Sequence, residues 1–497
     1  MGRPARYHSR RVAAWIICLI PSSSAVWSNG SVSDAPKPTY DALVAIVAAQ
    51  SATIGGQAAA IEELKAQVAK LTRRLNRNSS NSSSPPSKDF GTKRRRKRRP
   101  SVRKPGGQLG HIGHGRKKLL AEKITKRIEL PLTEPCECGH DDVFERGFWT
   151  SHDVLGVHDV TRYALESGRC SVCRRRRTAS LPECVTRSVM GSDLLAASAF
   201  LTGIVGTSRR KTQMVLSDVL DRRVSLGTVS TRELEVSEAL EAPTTQAHDA
   251  ALAADVKHLD ETGHRKKGER LTSWVLSTLL VTVLFVGLSR GAASLAKVLK
   301  GAALKGIAVT DRYVVYERFG FQRQLCLEHI RRNFLGLVDV GGVVGEVGLR
   351  CTNAVQRVLV AWRDHRARKI TDEQYTQLVM RCRRRIEAEL RRGWQLDPEL
   401  RTLAHAFIVM PEIVWRFVAD ARVPPTNNQG ERDIRELVVR RKVQLHTWSD
   451  RGDRYLERTL TVGGTCRKLS RSTYRFFVAA LDAKRRGRSA PSLLVAA

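Results

Sequence analysis

Apolar positions in this chain change period several times, and each change predicts a different kind of element. Between residues 40 and 76 they recur by sevens at Val47, Ile54, Ile61, Val68 and Leu75, with Leu64 and Leu71 filling the alternate positions of the seam. That repeat predicts a coiled coil. It is strongest from Ile61 to Leu75, because Gln50 and Gln57 interrupt the seam before that point and Gly55-Gly56 weaken the helix. A zipper joining two copies is the first reading, and a single helix packed on its own domain the second. From residue 77 to 118 the apolar face disappears. Arg77-Asn78-Ser79-Ser80-Asn81-Ser82-Ser83-Ser84-Pro85-Pro86 has nothing to bury and predicts a linker that turns glycine-rich at Pro105-Gly106-Gly107.

Within residues 119–186, about thirty residues of alternating, strand-like sequence separate Cys136-Glu137-Cys138 from Cys170-Ser171-Val172-Cys173. Helical periodicity takes over through 187–250, where Lys211 to Leu220, a polar turn and Thr228 to Leu240 read equally as a helix-turn-helix or a plain helical hairpin. After Asp255 the pattern shortens. Val256 to Leu259, Leu271 to Ser277 and Leu280 to Leu288 predict three strands, and Gly291 to Lys300 a helix. Gly306-Ile307-Ala308-Val309-Thr310 predicts a buried strand ending at Asp311, Arg312 to Phe319 a helix, Gln322 to Leu325 a strand and Cys326 to Leu335 a helix. Three strands, helix, strand, helix, strand, helix is the order of a ribonuclease-H-like fold, in which the first and fourth strands lie side by side. The expected fold class is therefore multidomain α+β. A leader (1–39), a coiled coil (40–76), a basic linker (77–118), a small zinc-finger-like module (119–186) and a helical region (187–250) precede an α/β core. That core spans 251–470, with an arginine-rich helical insertion at about 340–420, and residues 471–497 form a tail.

Charge then narrows the partner. Lys and Arg number 85 against 49 Asp and Glu, a net charge of +36 over 497 residues. An excess of that size calls for a polyanion, because each phosphate neutralised releases condensed counterions. Nucleic acid fits; an anionic membrane would need a basic amphipathic helix that the sequence does not supply. Arg94, Arg95, Arg96 and Arg98 belong to an unbroken cationic run, Lys93 to Arg99, which reads as a flexible arm for DNA phosphates or as a solvated tail. Arg174 and Arg175 open a second run directly after a cysteine pair. The ten cysteines are scattered through a long chain and do not form a secreted disulfide framework, so a reducing cytoplasm is expected. Arg10-Arg11 followed by the apolar stretch Val12 to Ile20 has the build of a secretory signal, or of an upstream extension of the reading frame. No 18-residue apolar run follows it, so no membrane span is expected.

Cys136-Glu137-Cys138 and Cys170-Ser171-Val172-Cys173, joined by strand-like sequence, have the form of two knuckles around a thiolate Zn²⁺ site. The first is one residue short, and His140 is the alternative ligand; a decayed finger held only by its sheet is the other reading. Asp260 and Asp311 each end a predicted strand, and adjacent strands would make them neighbours. Two ions about 3.5–4 Å apart need a third carboxylate. Glu431 is the best candidate, in Pro424-Pro425-Thr426-Asn427-Asn428-Gln429-Gly430-Glu431-Arg432, where Thr426 or Asn427 is a good N-cap for a new helix. Arg432 and Arg435 could hold the DNA backbone or orient Glu431, while Asp433 points elsewhere and Glu261 supports Asp260 from the opposite strand face. Cys326 and His329, one turn apart, read as packing and a DNA-facing imidazole rather than as a metal pair. Oxygen ligands facing phosphate favour Mg²⁺, or Mn²⁺.

Taken in order, these motifs resemble the insertion-sequence 66 family of DDE transposases over roughly residues 60–480. The resemblance rests on Asn78-Ser79-Ser80-Asn81, Arg103-Lys104-Pro105-Gly106-Gly107-Gln108, the cysteine knuckles and His258-Leu259-Asp260-Glu261-Thr262. It continues through Thr310-Asp311-Arg312-Tyr313, Gln324-Leu325-Cys326 with His329, and Thr426-Asn427-Asn428 with Glu431-Arg432. It implies a metal-binding triad of Asp260, Asp311 and Glu431, an N-terminal zipper that makes a homo-oligomer, a zinc finger, and strand cleavage and strand transfer at the element's terminal repeats and a target DNA. Small companion proteins of the element and a nucleoid setting belong to the same expectation. Leu327-Glu328 stands where the family has tryptophan-alanine. Gly430 stands where it prefers alanine, at a helix-propensity cost of about 1 kcal/mol. A nuclease or resolvase of the same fold, and a DNA-binding protein without catalysis, are the alternatives.

Overall fold

The computed structural model describes residues 39–76, 119–139, 144–186, 188–301, 305–444 and 447–494. The leader, the linker with Arg94, Arg95, Arg96 and Arg98, and His140 lie outside them. The chain divides into two compact units, residues 1–90 and 91–497. In the first, α1 (Tyr40–Asn76) is one helix that runs straight through Gly55-Gly56. Its heptad residues Val47, Ile54, Ile61, Leu64 and Val68 are all exposed. Tyr40–Lys65 is also long and apolar enough to cross a membrane, because alanines fill the positions between the heptad residues and no charge falls between Asp41 and Glu62. This departs from the expectation that no 18-residue apolar run follows the leader. The period of seven is the more specific signal, since a lipid-facing helix has no need of it.

The second unit is mixed α+β with two sheets. β1 (Lys126–Leu130), β2 (Phe144–Leu155), β3 (Val160–Cys170) and β4 (Arg176–Thr178) form the smaller one. β2 and β3 make a long antiparallel hairpin, and β1 and β4 share the far edge of β3. Asp153 and Arg162 face each other across the hairpin, bonded at 2.7 and 2.9 Å. Four helices follow: α2 (Ser192–Ala199), α3 (Arg209–Asp218), α4 (Leu226–Ala239) and α5 (Glu241–Ala253). Ser208 and Ser225 cap α3 and α4 by accepting from the N–H groups of Lys211 and Thr228.

The larger sheet contains β5 (Val256–Lys266), β6 (Glu269–Ser277), β7 (Thr282–Leu288), β8 (Ile307–Thr310) and β9 (Gln322–Leu325), with α6 (Ala292–Val298) before β8. Its order is β7-β6-β5-β8-β9: the first three strands are antiparallel, and β8 and β9 run parallel to β5. The expected adjacency of first and fourth strands is present. β5, however, does not end at Leu259. It continues to Lys266 as a hairpin with β6, turning at Lys267 and Gly268 with φ of 52° and 88°, the paired positive values of a two-residue turn whose twist suits a hairpin. A second difference is the stretch after Asp311. Asp311 Oδ1 accepts from the N–H of Tyr313 at 2.9 Å and Gly320 closes the segment at φ 61°, so Val314–Phe319 forms a 3₁₀ turn instead of an α-helix.

β8 shows how the sheet separates two cores. Ala308 faces one, with Leu259, Trp274 and Leu276. Ile307 and Val309 face the other, as the two-residue period of a strand requires. That second core is built by α7 (Leu327–Val338), α8 (Gly342–Arg366), α9 (Asp372–Gly393), α10 (Pro398–Ala404) and α11 (Glu412–Ala419), around Phe334, Val355, Val379 and Phe407. α12 (Asn428–Gln444) then lies on β5 and β6. α13 (Asp450–Lys468) packs on β7, α4 and α5, and α14 (Thr473–Arg485) on α2 and α4.

Candidate active site and cysteine cluster

Parallel pairing joins Val256, Lys257 and His258 of β5 to Ile307, Ala308 and Val309 of β8. Asp260 lies two residues beyond His258, and Asp311 two beyond Val309, so the register carries both acids side by side past the last paired residues, Asp260 within β5 and Asp311 just after β8. Asp260 Oδ1 accepts from the N–H of Glu261 at 2.9 Å. Its carboxyl is pushed up to about 7, first by burial and then by the charges of Glu261, Asp311 and Glu431, against the pull of that N–H. Glu431 sits in the first turn of α12. Its Oε1 is 3.4 Å from Nη2 of Arg332 and 3.5 Å from Nδ1 of His329. The three carboxylates thus share one electrostatic site, but their oxygens do not converge as tightly as two other sets. Among the described residues, the groups whose ligand atoms lie within 4.8 Å of one another are Cys136, Cys138, Cys170 and Cys173, and Cys326, His329 and Glu431.

Several neighbours carry no warning in the local pattern. Glu261 accepts from Tyr316 Oη at 2.9 Å and from Arg290 at 3.0 Å, and Arg290 lies 4.4 Å over the ring of Tyr313. Burial raises the Glu261 carboxyl, and Asp311 raises it further. Asn427 occupies the position before α12, as its type suggests, yet its side chain turns to β5: Nδ2 donates to Leu259 O at 2.9 Å, and Oδ1 is 3.0 Å from His258 Nδ1. Cys326 is buried and its thiol is pushed up by that burial; its Sγ accepts from Asn427 N–H at 3.2 Å. Asp433 stands outside the site, bonded to Lys468 at 2.6 Å and to Ser277. Arg432 and Arg435 are exposed on the same helix as Glu431.

The cysteines meet as two pairs, Cys136 with Cys173 at 3.5 Å and Cys138 with Cys170 at 3.7 Å between sulfurs. Thiolates about 2.3 Å from a tetrahedral Zn²⁺ stand roughly 3.8 Å apart, so these spacings suit that ion. The short first knuckle closes because Gly139, at φ 81°, turns its N–H back to Cys136 O at 2.9 Å. The N–H of Cys173 leads in drawing the Cys170 thiol down to about 6, and the N–H of Cys138 leads in lowering that of Cys136. Arg174 and Arg175 stand beside the cluster in exposed ion pairs with Glu145 and Glu137, at 2.7 and 3.4 Å. Exposed pairs of this kind contribute little.

Residues 187–455 match the Transposase IS66 family, more than half of the chain. The chain belongs to the IS66 transposase family. In this transposase the matched span runs from α2 into α13 and holds Asp260, Asp311, Glu431 and the whole of the larger sheet. Residues 34–117 match a family of unknown function, and the cysteine cluster lies in neither span. No curated protein matches the chain.

Proposed function

We propose that this transposase cleaves and joins DNA strands at the ends of its element through a ribonuclease-H-like core, with Asp260, Asp311 and Glu431 holding two divalent ions, Mg²⁺ or Mn²⁺. The observation that carries this reading is the matched extension of Asp260 and Asp311 past the β5–β8 pairing, with Glu431 close enough to raise the Asp260 carboxyl further. Crowded carboxylates in a chain of +36 repel one another, and a hard cation with oxygen ligands relieves that repulsion. Bound there, the ions would supply activation of an attacking hydroxyl and neutralisation of a leaving 3′ oxygen in an in-line phosphoryl displacement. The chain's own residues bind and orient. Glu261, tied to Tyr316 and Arg290, fixes the strand beside Asp260. Arg332 and His329 stand at Glu431, where a phosphate would arrive.

The remaining segments serve DNA and assembly in this reading. Residues 40–76 form a zipper joining copies of the chain, and 119–186 a Zn²⁺ module that contacts DNA through Arg174 and Arg175. Residues 187–250 present a helix-turn-helix, and the core of 251–470 carries an insertion, about 340–420, that grips the duplex. Strand cleavage and strand transfer by the full-length protein on element-end DNA with Mg²⁺ test the proposal. Asp260→Asn, Asp311→Asn and Glu431→Gln should each reduce both steps by at least about 10³-fold while the chain stays folded. Retained strand transfer in any of the three removes that residue from the triad. Cleavage of branched DNA without joining would mark a nuclease instead.

A further inference from the structure

The three elements that carry the proposed ligands come from distant parts of the chain, and one knot of polar contacts joins them. Asn427 and Thr310 are fully buried, and Cys326 and His258 are nearly so. Asn427 donates from Nδ2 to Leu259 O, next to Asp260, and meets His258 Nδ1 through Oδ1. Its carbonyl accepts from Glu431 N–H at 3.0 Å, and its own N–H donates to Cys326 Sγ. Cys326 N–H donates in turn to Thr310 O at 2.8 Å, next to Asp311, and Leu327 N–H to Pro425 O at 2.9 Å. Every one of the three carboxylates is therefore within one residue and one hydrogen bond of this strap.

We propose that Asn427 and Cys326 are positioning residues of the active site: they fix α12 against the middle of β5 and the end of β8, and so set the geometry in which Asp260, Asp311 and Glu431 take divalent ions. The proposal rests on the triad reading above. Apolar packing of Ile434 and Leu437 holds α12 on the sheet, but such packing tolerates small shifts, and one helical turn of slip moves a side chain about 5.4 Å. Directional bonds do not tolerate it. Asparagine suits the place because the strap needs a donor for Leu259 O and an acceptor for the ring of His258 on two separate atoms; a carboxylate has no donor, and a hydroxyl has one oxygen for both. Cys326 supplies a buried acceptor to a backbone N–H that would otherwise have none.

Mn²⁺ binding by the full-length protein, read from the paramagnetic signal of free Mn²⁺, tests this alongside the metal dependence of strand cleavage. Thiolates are poor partners for Mn²⁺, so the signal reports the carboxylates. Asn427→Ala should weaken Mn²⁺ binding about tenfold or more and raise the metal concentration for half-maximal cleavage in step, with most of the rate recovered at saturating metal. Cys326→Ser, which keeps an acceptor, should stay near the parent protein, and Cys326→Ala should fall toward Asn427→Ala. Unchanged Mn²⁺ affinity in folded Asn427→Ala, while Asp260→Asn abolishes binding, overturns the strap and leaves the triad standing. If Asp260→Asn itself leaves Mn²⁺ affinity and cleavage intact, the triad falls and the strap's role with it. Should Asn427→Ala fail to fold, the Cys326 pair decides: alanine weaker than serine supports the strap, and equal affinities overturn it.

Discussion

Gly430 sets two local effects against each other. Alanine there would gain about 1 kcal/mol of helix propensity, yet its Cβ would lie 2.8 Å from Oδ1 of Asn427. That amide cannot swing away, since both its ends are bonded to β5. Overpacking of this kind costs about 1–3 kcal/mol. Gly430→Ala should therefore lower stability by roughly 1 kcal/mol, read as an earlier denaturant midpoint; a later midpoint would mean that Asn427 rotates freely. Glu457 on α13 is a second residue whose environment decides its state. It accepts from Val286 N–H at 2.7 Å. Burial pushes its carboxyl up to about 7 against that bond, with Asp453 adding and Arg458 and Arg454 opposing. Between about 4.3, its ordinary value, and 7 the native state holds a proton that the unfolded chain has lost, so stability falls as pH rises through that window. Glu457→Gln keeps the acceptor and removes the charge. It should stabilise the protein by roughly 1–3 kcal/mol at pH 8 and hardly at all at pH 4; an equal gain at both pH values would contradict the assignment.

Among the elements, those that bury an apolar run were legible from pattern and those made by pairing were not. Ile307-Ala308-Val309-Thr310 is buried throughout, and its position before Asp311 follows from the run alone. The far half of β5, His264-Arg265-Lys266, has no apolar signal; β6 and a bridge to Thr447 hold it as strand, so the pattern ended β5 too early. Asp260, Asp311 and Glu431 stood out because two follow predicted strands and the third follows a predicted helix N-cap. The strap did not, because the bonds of Asn427 to His258 and Cys326 span 169 and 101 residues, and only the fold brings them together. The small sheet is a mixed case: spacing alone left Cys136 and Cys138 in question, and the turn at Gly139 is what lets the shorter knuckle face Cys170 and Cys173. Metal analysis of the purified chain should give about one equivalent of Zn²⁺, which Cys170→Ser should lower several-fold while destabilising the β1–β4 module, because binding energy at such sites is folding energy. Less than about half an equivalent in the parent chain would remove the site.

Over the whole molecule, what matters about +36 is where the charge is left unpaired. On the α8–α9 hairpin, Arg350, Arg383 and Arg392 are paired with Glu346, Glu387 and Glu389. Arg357, Arg381, Arg384, Arg385 and Arg391 are exposed and make no ion pair among the described residues. Arg357, Arg381 and Arg385 gather around Cys382, where their fields oppose the rise that burial imposes on its thiol. Arg381, Arg384 and Arg385 follow one another at the three- and four-residue steps that line a single helix face. Unpaired guanidinium groups in that array can each take a phosphate without first breaking a partner, unlike Arg174 and Arg175. Phosphate contacts appear as the slope of log affinity against log salt, about 0.9 per contact on duplex DNA. Replacing Arg381, Arg384 and Arg385 together with alanine should therefore weaken duplex binding at low salt and reduce the slope by roughly 2–3, for any sequence of DNA. Stability should stay within about 0.5 kcal/mol of the parent, since these side chains are exposed. An unchanged slope would take the insertion off the DNA.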